Sequence, residues 1–201
     1  MLTLYEQHDS GNCYKVRLLL SHLGRPYRTV AVSSLDGSTR TAAFLAKNPI
    51  GKVPTIEFED GRCLAESNAI LLHFAEGTRL LPQDAYDRAK AYEWLFFEQY
   101  SHEPAIAVRR ALTLYPERRR DATPQRMAQL LAAGERALAV LNNRLAHADW
   151  FAGSAFSIAD IALYAYTHRA DEGGFELAAY PAIVRWVAQV AELRGHVTRE
   201  A

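Results

Sequence analysis

The sequence has few cysteines and no excess of charge, and both absences narrow what the protein can be. Its 201 residues include only Cys13 and Cys63, too few for a disulfide framework. We therefore expect a reducing, cytoplasmic environment. The 23 basic and 23 acidic residues cancel, so the chain lacks the electrostatic footprint of a nucleic-acid-binding protein.

Long apolar runs and metal-binding patterns are also missing. No uninterrupted apolar stretch is long enough to cross a bilayer, and the start, MLTLYEQHD, lacks the basic region and apolar core of a signal peptide. The seven histidines are scattered without an H-x-x-x-H spacing, and no paired C-x-x-C occurs. We expect neither a membrane span nor a metal site.

What the sequence does contain is 49% hydrophobic residues, enough for a substantial core, in two successive patterns. Residues 1–78 follow the order β-α-β-α-β-β-α, which predicts a compact α/β layer whose first two strands are parallel. The strands are predicted at 2–5, 27–32, 55–59 and 62–65, and the helices at 12–23, 41–46 and from Ser67. Residues 79–87 are predicted to be a linker, and 88–201 an all-helical bundle, because strand signals vanish there.

The turn Ser10-Gly11-Asn12-Cys13 has the spacing of a redox C-x-x-C where a strand passes into a helix. A serine stands in the position of the attacking cysteine. Cys13 takes the second position, which is usually buried, and we interpret it as a small core residue. The turn therefore predicts a site that does not use a thiol of its own.

Two further segments have the chemistry of a binding site. Glu66-Ser67 begins a helix, whose orphan N–H groups suit a carboxylate while Glu66 suits an ammonium group. The alternative is that Ser67 only caps the helix and Glu66 only favours its dipole. Pro54 precedes a strand and cannot donate a ladder hydrogen bond. A cis Val53–Pro54 bond would leave the Val53 backbone available to a ligand's backbone, whereas the alternative is a simple strand-entry proline.

Three stretches together resemble the cytosolic glutathione transferase family over nearly the whole chain. They are SGNCYKVRLLL…LG, FLAKNPIGKVPTIEFEDGRCLAESNAILLHFAE and WFAGSAFSIADIAL. The last carries a capping box, Ser157-x-x-Asp160, to which we assign a structural role. The resemblance implies a thioredoxin-like α/β domain followed by a helical domain, glutathione as co-substrate, and a homodimer.

The resemblance also implies roles for individual residues. Glu66 and Ser67 match the residues that hold the γ-glutamyl group, and the Val53 backbone beside Pro54 matches the partner of the cysteinyl backbone. Lys52 and Arg40 match positions near the glycine carboxylate, although a solvated Arg40 is the alternative.

The thiol-activating residues are Ser10, as in theta- and delta-like classes, and Asn12, as in bacterial Nu-like members. Tyr5 is the rival by analogy with tyrosine-type transferases, but its spacing to Cys13 differs by one residue from that pattern.

The predicted helix 86–114 supplies candidates for the electrophile site: His102, Glu103, Arg109 and Arg110. Pro104 is expected to kink this helix. The aromatic residues Tyr92, Phe96 and Tyr100 share one face, which we interpret as core or dimer interface.

Transfer of glutathione to small hydrophobic electrophiles is the favoured function. Glutathione-dependent disulfide exchange is an alternative because of the Nu-like turn. Isomerisation of maleylacetoacetate-like compounds is another, because Cys13-Tyr14-Lys15-Val16-Arg17 is similar to part of that class's motif, although Gly11 replaces its second serine. The last alternative is that the protein is a non-catalytic ligand-binding module.

Overall fold

The computed structural model describes residues 1–199, which form two compact units. The first comprises residues 1–78 and the C-terminal segment from Leu193, and the second comprises Arg79–Glu192. The division predicted from the sequence differs in that segment, which it placed with the helical domain. In the part of the chain that the structure describes, no helix combines the length and apolar character needed to cross a membrane.

The first unit is built on a four-stranded sheet of order β2-β1-β3-β4. β1 pairs in parallel with β2 and antiparallel with β3, and β4 pairs antiparallel with β3. The elements follow one another along the chain in the predicted order β-α-β-α-β-β-α, and the first two strands are parallel as predicted. The strands are β1 (Leu2–Glu6), β2 (Tyr27–Ala31), β3 (Thr55–Glu57) and β4 (Cys63–Ala65), and the helices are α1 (Gly11–His22), α2 (Ala42–Leu45) and α3 (Ser67–Ala75).

Helix α1 begins and ends where its sequence requires. The Ser10 side chain caps it by accepting a hydrogen bond from the Cys13 N–H at 3.4 Å. The apolar residues Leu18, Leu19 and Leu20 are fully buried in the core. The chain leaves the helix at Gly24, which adopts a left-handed φ of 61° that a residue with a side chain rarely adopts.

The C-terminal segment is attached to α1 by hydrogen bonds from buried side chains. The Tyr14 hydroxyl donates to the Val197 carbonyl at 2.8 Å, and the Arg17 guanidinium donates to the Arg199 carbonyl at 2.7 Å. Arg199 in turn pairs with the Asp9 carboxylate at 3.0 Å. These contacts explain why the segment belongs to the first unit although it follows the helical region in sequence.

The second unit is helical, as predicted, but the long helix expected at 86–114 is interrupted. α4 ends at Phe97, a turn of π-helix spans Glu98–His102, and α5 continues from Glu103. Pro104 lies in the first turn of α5, directly after the π-helical turn. The helices are α4 (Ala85–Phe97), α5 (Glu103–Leu114), α6 (Pro124–Ala146), α7 (Ile158–Thr167) and α8 (Pro181–Ala191).

The predicted capping box at the start of α7 is present and buried. The Asp160 carboxylate accepts hydrogen bonds from the Ser157 N–H and hydroxyl at 3.0 and 3.1 Å. It also accepts from the Phe151 N–H at 3.3 Å and from the Trp186 indole at 3.1 Å. Burial raises the pKa of Asp160 to about 7, while these donors oppose the rise. One carboxylate therefore joins α7, α8 and the preceding loop.

We expect Asp160→Asn to destabilise the protein strongly. The amide would turn one acceptor oxygen into a donor that faces donors already present, which leaves buried groups unsatisfied. A loss of roughly 2–4 kcal/mol in the free energy of unfolding is expected, measured by urea denaturation. The exposed Asp121→Asn is the matched control and should change little. Equal stability of the two variants would contradict the structural role of this carboxylate.

Candidate functional site

The segments that the sequence singled out leave the sheet at one end. Tyr5 near the end of β1 pairs with Thr55 at the start of β3, and Thr55 pairs with Ala65 at the end of β4. The turn after β1, the loop before β3 and the start of α3 therefore share an edge of the sheet. β2 ends there too, because Ala31 pairs with Glu6.

Ser10 and Asn12 lie at the N-terminus of α1, and both side chains are half-buried. The Asn12 Oδ1 accepts a hydrogen bond from the Ser67 hydroxyl at 3.2 Å. This contact joins the first turn of α1 to the first residue of α3, which is buried. The structure thus brings together residues more than fifty positions apart that the sequence assigned to one site.

Glu66 has an unusual backbone conformation beside this contact. Its φ is 67°, and within residues 1–199 it is the only residue other than glycine with a positive φ. Such a conformation costs of order 1–3 kcal/mol and is found most often at functional sites. The Glu66 side chain is exposed and makes no capping hydrogen bond to α3. The strained backbone therefore favours a binding role for Glu66.

The loop before β3 carries Lys52, Val53 and Pro54. Lys52 is exposed, Pro54 is buried, and the Val53–Pro54 peptide bond is cis as predicted. Val53 lies two residues before β3 and outside its pairing with β1. The Asn48 amide donates to the Lys52 carbonyl at 2.8 Å and to the Thr55 hydroxyl at 3.1 Å, which holds the loop in place.

Arg40 is placed against the same loop. Its guanidinium donates to the Ile50 carbonyl at 3.1 Å, and a Cβ on Gly51 would come within 2.6 Å of its Nη1. Gly51 has a φ of 66°, so a side chain there is disfavoured by conformation and by space. Arg40 is exposed. Together with Lys52, it places two cationic side chains at the loop before β3.

The protein's own thiol is poorly suited to attack. Cys13 is fully buried, and burial raises the pKa of its thiol to about 12 despite the hydrogen bond with Ser10. Cys63 is half-buried on β4, and burial raises its pKa as well. Neither thiol has the depressed pKa of a nucleophile.

Tyr5, the rival activating residue, is engaged elsewhere. Its hydroxyl donates to the Glu57 carboxylate at 2.6 Å, and Lys47 donates to the same carboxylate at 2.9 Å. Burial, followed by Glu57, raises the pKa of Tyr5. Glu57 is at the end of β3 remote from Pro54, so the hydroxyl is directed away from the edge where Ser10 lies.

The electrostatics of the edge favour an anion. The N-termini of α1 and α3 both begin there, and a helix N-terminus carries a partial positive charge. Lys15 and Arg17 add two buried cations on α1, of which Arg17 lies 3.6 Å from Glu6. The signal for them in the sequence is a pair of charges inside the otherwise largely apolar run CYKVRLLL, which did not by itself predict that they are buried at this site. No cluster of three or more potential metal ligands occurs among the described residues.

The four electrophile-site candidates lie in the helical unit, and internal contacts hold His102, Arg109 and Arg110 among others. His102 is buried with its Nε2 2.8 Å from the Thr167 hydroxyl. Arg109 donates to the Gly173 carbonyl at 2.6 Å, and the buried Arg110 pairs with Glu172. These contacts favour structural roles for both arginines. Glu103 is half-buried in the first turn of α5. An electrophile site at these residues stays a prediction.

Comparison with known proteins supports the same assignment in both units. Residues 9–76 match the N-terminal domain of glutathione S-transferases, and residues 124–189 match the C-terminal domain. A crystal structure of a glutathione S-transferase from Pseudomonas fluorescens is 49% identical, covers 98% of both chains and superposes with a TM-score of 0.93. A glutathione transferase from Burkholderia graminis, solved with two glutathione molecules per subunit, is 28% identical with a TM-score of 0.83, over 96% of this chain and 85% of that one.

Two curated relatives from Escherichia coli are similar over nearly their whole length. The glutathione S-transferase GstB is 30% identical over 96% of this chain and 94% of its own. The disulfide-bond oxidoreductase YfcG is 29% identical over 92% of this chain and 88% of its own. On this evidence, the chain belongs to the glutathione S-transferase family.

Proposed function

We propose that this protein is a glutathione transferase in which Ser10 and Asn12 activate the thiol of bound glutathione for attack on small hydrophobic electrophiles. The observation that carries the proposal is the contact between Asn12 and Ser67 at the N-termini of two helices, beside a buried and unreactive Cys13. The site offers donors for a thiolate and lacks a thiol of its own.

Each part of glutathione has a matching group at the sheet edge. The γ-glutamyl ammonium pairs with Glu66, and the γ-glutamyl carboxylate accepts from the backbone N–H of Ser67 and from the other N–H groups in the first turn of α3. The cysteinyl backbone bonds to the Val53 backbone as an added strand would. The glycine carboxylate meets Lys52 and Arg40, which the Gly51 turn keeps together. Glutathione in the Burkholderia graminis relative supports this choice of ligand.

The energy that thiol activation requires is within reach of these donors. Lowering a thiol pKa from about 8.5 by roughly two units requires about 2.7 kcal/mol in favour of the thiolate. One or two hydrogen bonds to a charged acceptor contribute about 1.5–3 kcal/mol each. Ser10 and Asn12 supply such donors, and the N-terminus of α1 adds positive potential. The thiolate then forms a bond from sulfur to the electrophilic carbon, with loss of a leaving group or protonation of the adduct.

Glutathione-dependent reduction of disulfides is the second candidate, favoured by the similarity to YfcG and by Asn12. In this reaction the activated thiolate attacks a disulfide, forms a mixed disulfide with one half of it and expels the other half as a thiolate. A second glutathione attacks the mixed disulfide, releases the remaining half as a thiol and forms oxidised glutathione. Two glutathione molecules therefore supply the two electrons.

We also propose a homodimer in the cytoplasm. In the helical unit Phe96 and Tyr100 are 75% and 89% exposed, and a monomer rarely leaves large aromatic side chains so open in one region. Both cysteines are free, in keeping with a reducing compartment. Sedimentation analysis of wild type and of Phe96→Asp/Tyr100→Asp tests the dimer.

The first test is whether the protein binds and uses glutathione. We expect retention on immobilised glutathione, followed by turnover with an aryl halide or a small dialkyl disulfide. The ratio of the two rates distinguishes conjugation from disulfide reduction. Retention without turnover of either substrate would favour a ligand-binding module.

Ser10→Ala and Asn12→Ala should each raise the pKa of the bound glutathione thiol, because each removes a donor to the sulfur. The thiolate absorbance of the complex measured against pH gives this pKa directly. The pKa of the bound thiol should rise more in the double variant than in either single variant. Together with wild type, the three variants form a mutant cycle.

Cys13→Ala is the control for this experiment and should keep most of the activity, since the Cys13 thiol is buried and protonated. The opposite pattern, in which Cys13→Ala is inactive while the Ser10 and Asn12 variants behave as wild type, would show that the protein uses its own thiol.

Glu66→Ala should weaken glutathione binding about ten- to a hundredfold, since losing a charged hydrogen-bond partner costs about 1.5–3 kcal/mol. Helix α3 should stay folded because the Glu66 side chain does not cap it. Titration calorimetry measures the affinity, and the exposed Glu76→Ala at the other end of α3 is the matched control. An unchanged dissociation constant for Glu66→Ala would place the ammonium site elsewhere.

A further inference from the structure

Lys15 is a fully buried lysine inside the candidate site, and the proposed chemistry leaves it without a role. Its exposed fraction is 0%, which is rare for a lysine because a buried charge is costly unless it is hydrogen-bonded. Its Nζ lies 3.4 Å from the Ser67 hydroxyl oxygen and 3.5 Å from the Asn68 Oδ1. The side chain thus extends from α1 to the first turn of α3.

The donor and acceptor capacities of these groups give the hydrogen bonds a direction. An ammonium group has three donors and no acceptor, so the Ser67 oxygen must accept from Lys15. The single hydrogen of the Ser67 hydroxyl then goes to the Asn12 Oδ1 at 3.2 Å. That bond sets the Asn12 carboxamide with its oxygen toward Ser67, and its Nδ2, which carries only donors, toward the opposite side.

We propose that Lys15 is a positioning residue that, through Ser67, fixes the orientation of the Asn12 amide so that Asn12 presents a donor to the glutathione sulfur. This role rests on the proposed function. Without the lysine, the Ser67 hydroxyl is able to accept from Asn12 as well as donate to it. The carboxamide is then able to turn over and present its oxygen, an acceptor that repels a thiolate. Lys15 disfavours this second orientation, because its ammonium occupies one of the two acceptor positions of the Ser67 oxygen and its positive charge attracts the carboxamide oxygen and repels the Nδ2 hydrogens.

A positioning role of Lys15 depends on Asn12, whereas a general electrostatic effect of its charge on the thiolate does not. A buried cation also favours a nearby anion directly, whatever the orientation of Asn12. If Lys15 acts only in that direct way, its effect on the thiol persists when Asn12 is absent. If it acts through the Ser67–Asn12 hydrogen bond, its effect disappears with Asn12. A mutant cycle distinguishes the two.

The experiment measures the thiolate absorbance of saturating glutathione against pH in wild type, Lys15→Met, Asn12→Ala and the double variant. We expect Lys15→Met to raise the bound thiol pKa by about one unit, which is roughly tenfold less thiolate below that pKa. In the Asn12→Ala background, Lys15→Met should add nothing. Lys47→Met, on a residue that pairs with Glu57 outside the site, is the matched control and should leave the thiol pKa unchanged.

A second variant keeps the test decisive if Lys15→Met does not fold. Ser67→Ala breaks the same hydrogen-bond chain at its middle with a change of one buried atom. At saturating glutathione it should raise the thiol pKa as Lys15→Met does, and in the Asn12→Ala background it should add nothing. Lys15→Arg, which also carries only donors, should restore most of the wild-type value.

The outcomes separate this proposal from the proposed function. If wild type binds no glutathione or leaves its thiol pKa at the value of free glutathione, the proposed function fails and this role fails with it. If wild type lowers the thiol pKa and Lys15→Met or Ser67→Ala lowers it equally, only the role of Lys15 is wrong. Additive effects of the Lys15 and Asn12 changes would also overturn it, in favour of a direct electrostatic effect.

Discussion

The pairing of β1 with two neighbours is the constraint on which the site depends. Because β1 is parallel to β2 and antiparallel to β3, the end of β1, the end of β2 and the start of β3 lie at one edge. The antiparallel hairpin of β3 and β4 then returns the chain to that edge, where α3 begins. A shift of one residue in this register would turn every side chain of a strand to the other face. The meeting of four distant segments therefore follows from hydrogen-bond geometry in the sheet.

Buried polar groups perform two different tasks in the two units. In the helical unit, Asp160 collects four donors and has no evident chemical role, which is typical of a group that holds elements together. In the first unit, the buried Lys15 donates to the Ser67 hydroxyl, which donates to Asn12 in the first turn of α1. The difference lies in where the hydrogen bonds lead. Those of Asp160 end on backbone and core groups, whereas those of Lys15 lead to a half-buried amide at the sheet edge.

Ser10 stands where a redox C-x-x-C turn has its attacking cysteine, and the burial of Cys13 agrees with a turn that does not use its own thiol. In a thioredoxin-like turn that carries its own attacking thiol, the thiol is exposed at the N-terminus of the first helix. Here that position holds a hydroxyl that caps the helix, and the remaining thiol lies one turn inside with its pKa raised by burial. The fold thus keeps the positive potential of the helix N-terminus, and under the proposed function glutathione supplies the sulfur.

Local sequence alone determined the fold class and most element positions. The alternation of strands and helices in residues 1–78, the parallel first pair and the capping box at Ser157 were predicted and are confirmed, because short-range periodicity and capping depend on neighbours in the chain. The π-helical turn at Glu98–His102 was not predicted, since the residues around it still show helical spacing.

Only the tertiary structure decided which residues meet. Asn12 contacts Ser67, and Lys15 is buried between the first turns of two helices. Arg40 lies against Gly51, and the Tyr5 hydroxyl donates to Glu57. The attachment of the C-terminal segment to α1 through Tyr14 and Arg17 was likewise decided there. These contacts join residues far apart in sequence. Their energies depend on how deeply the side chains are buried, and a local sequence pattern does not determine that burial.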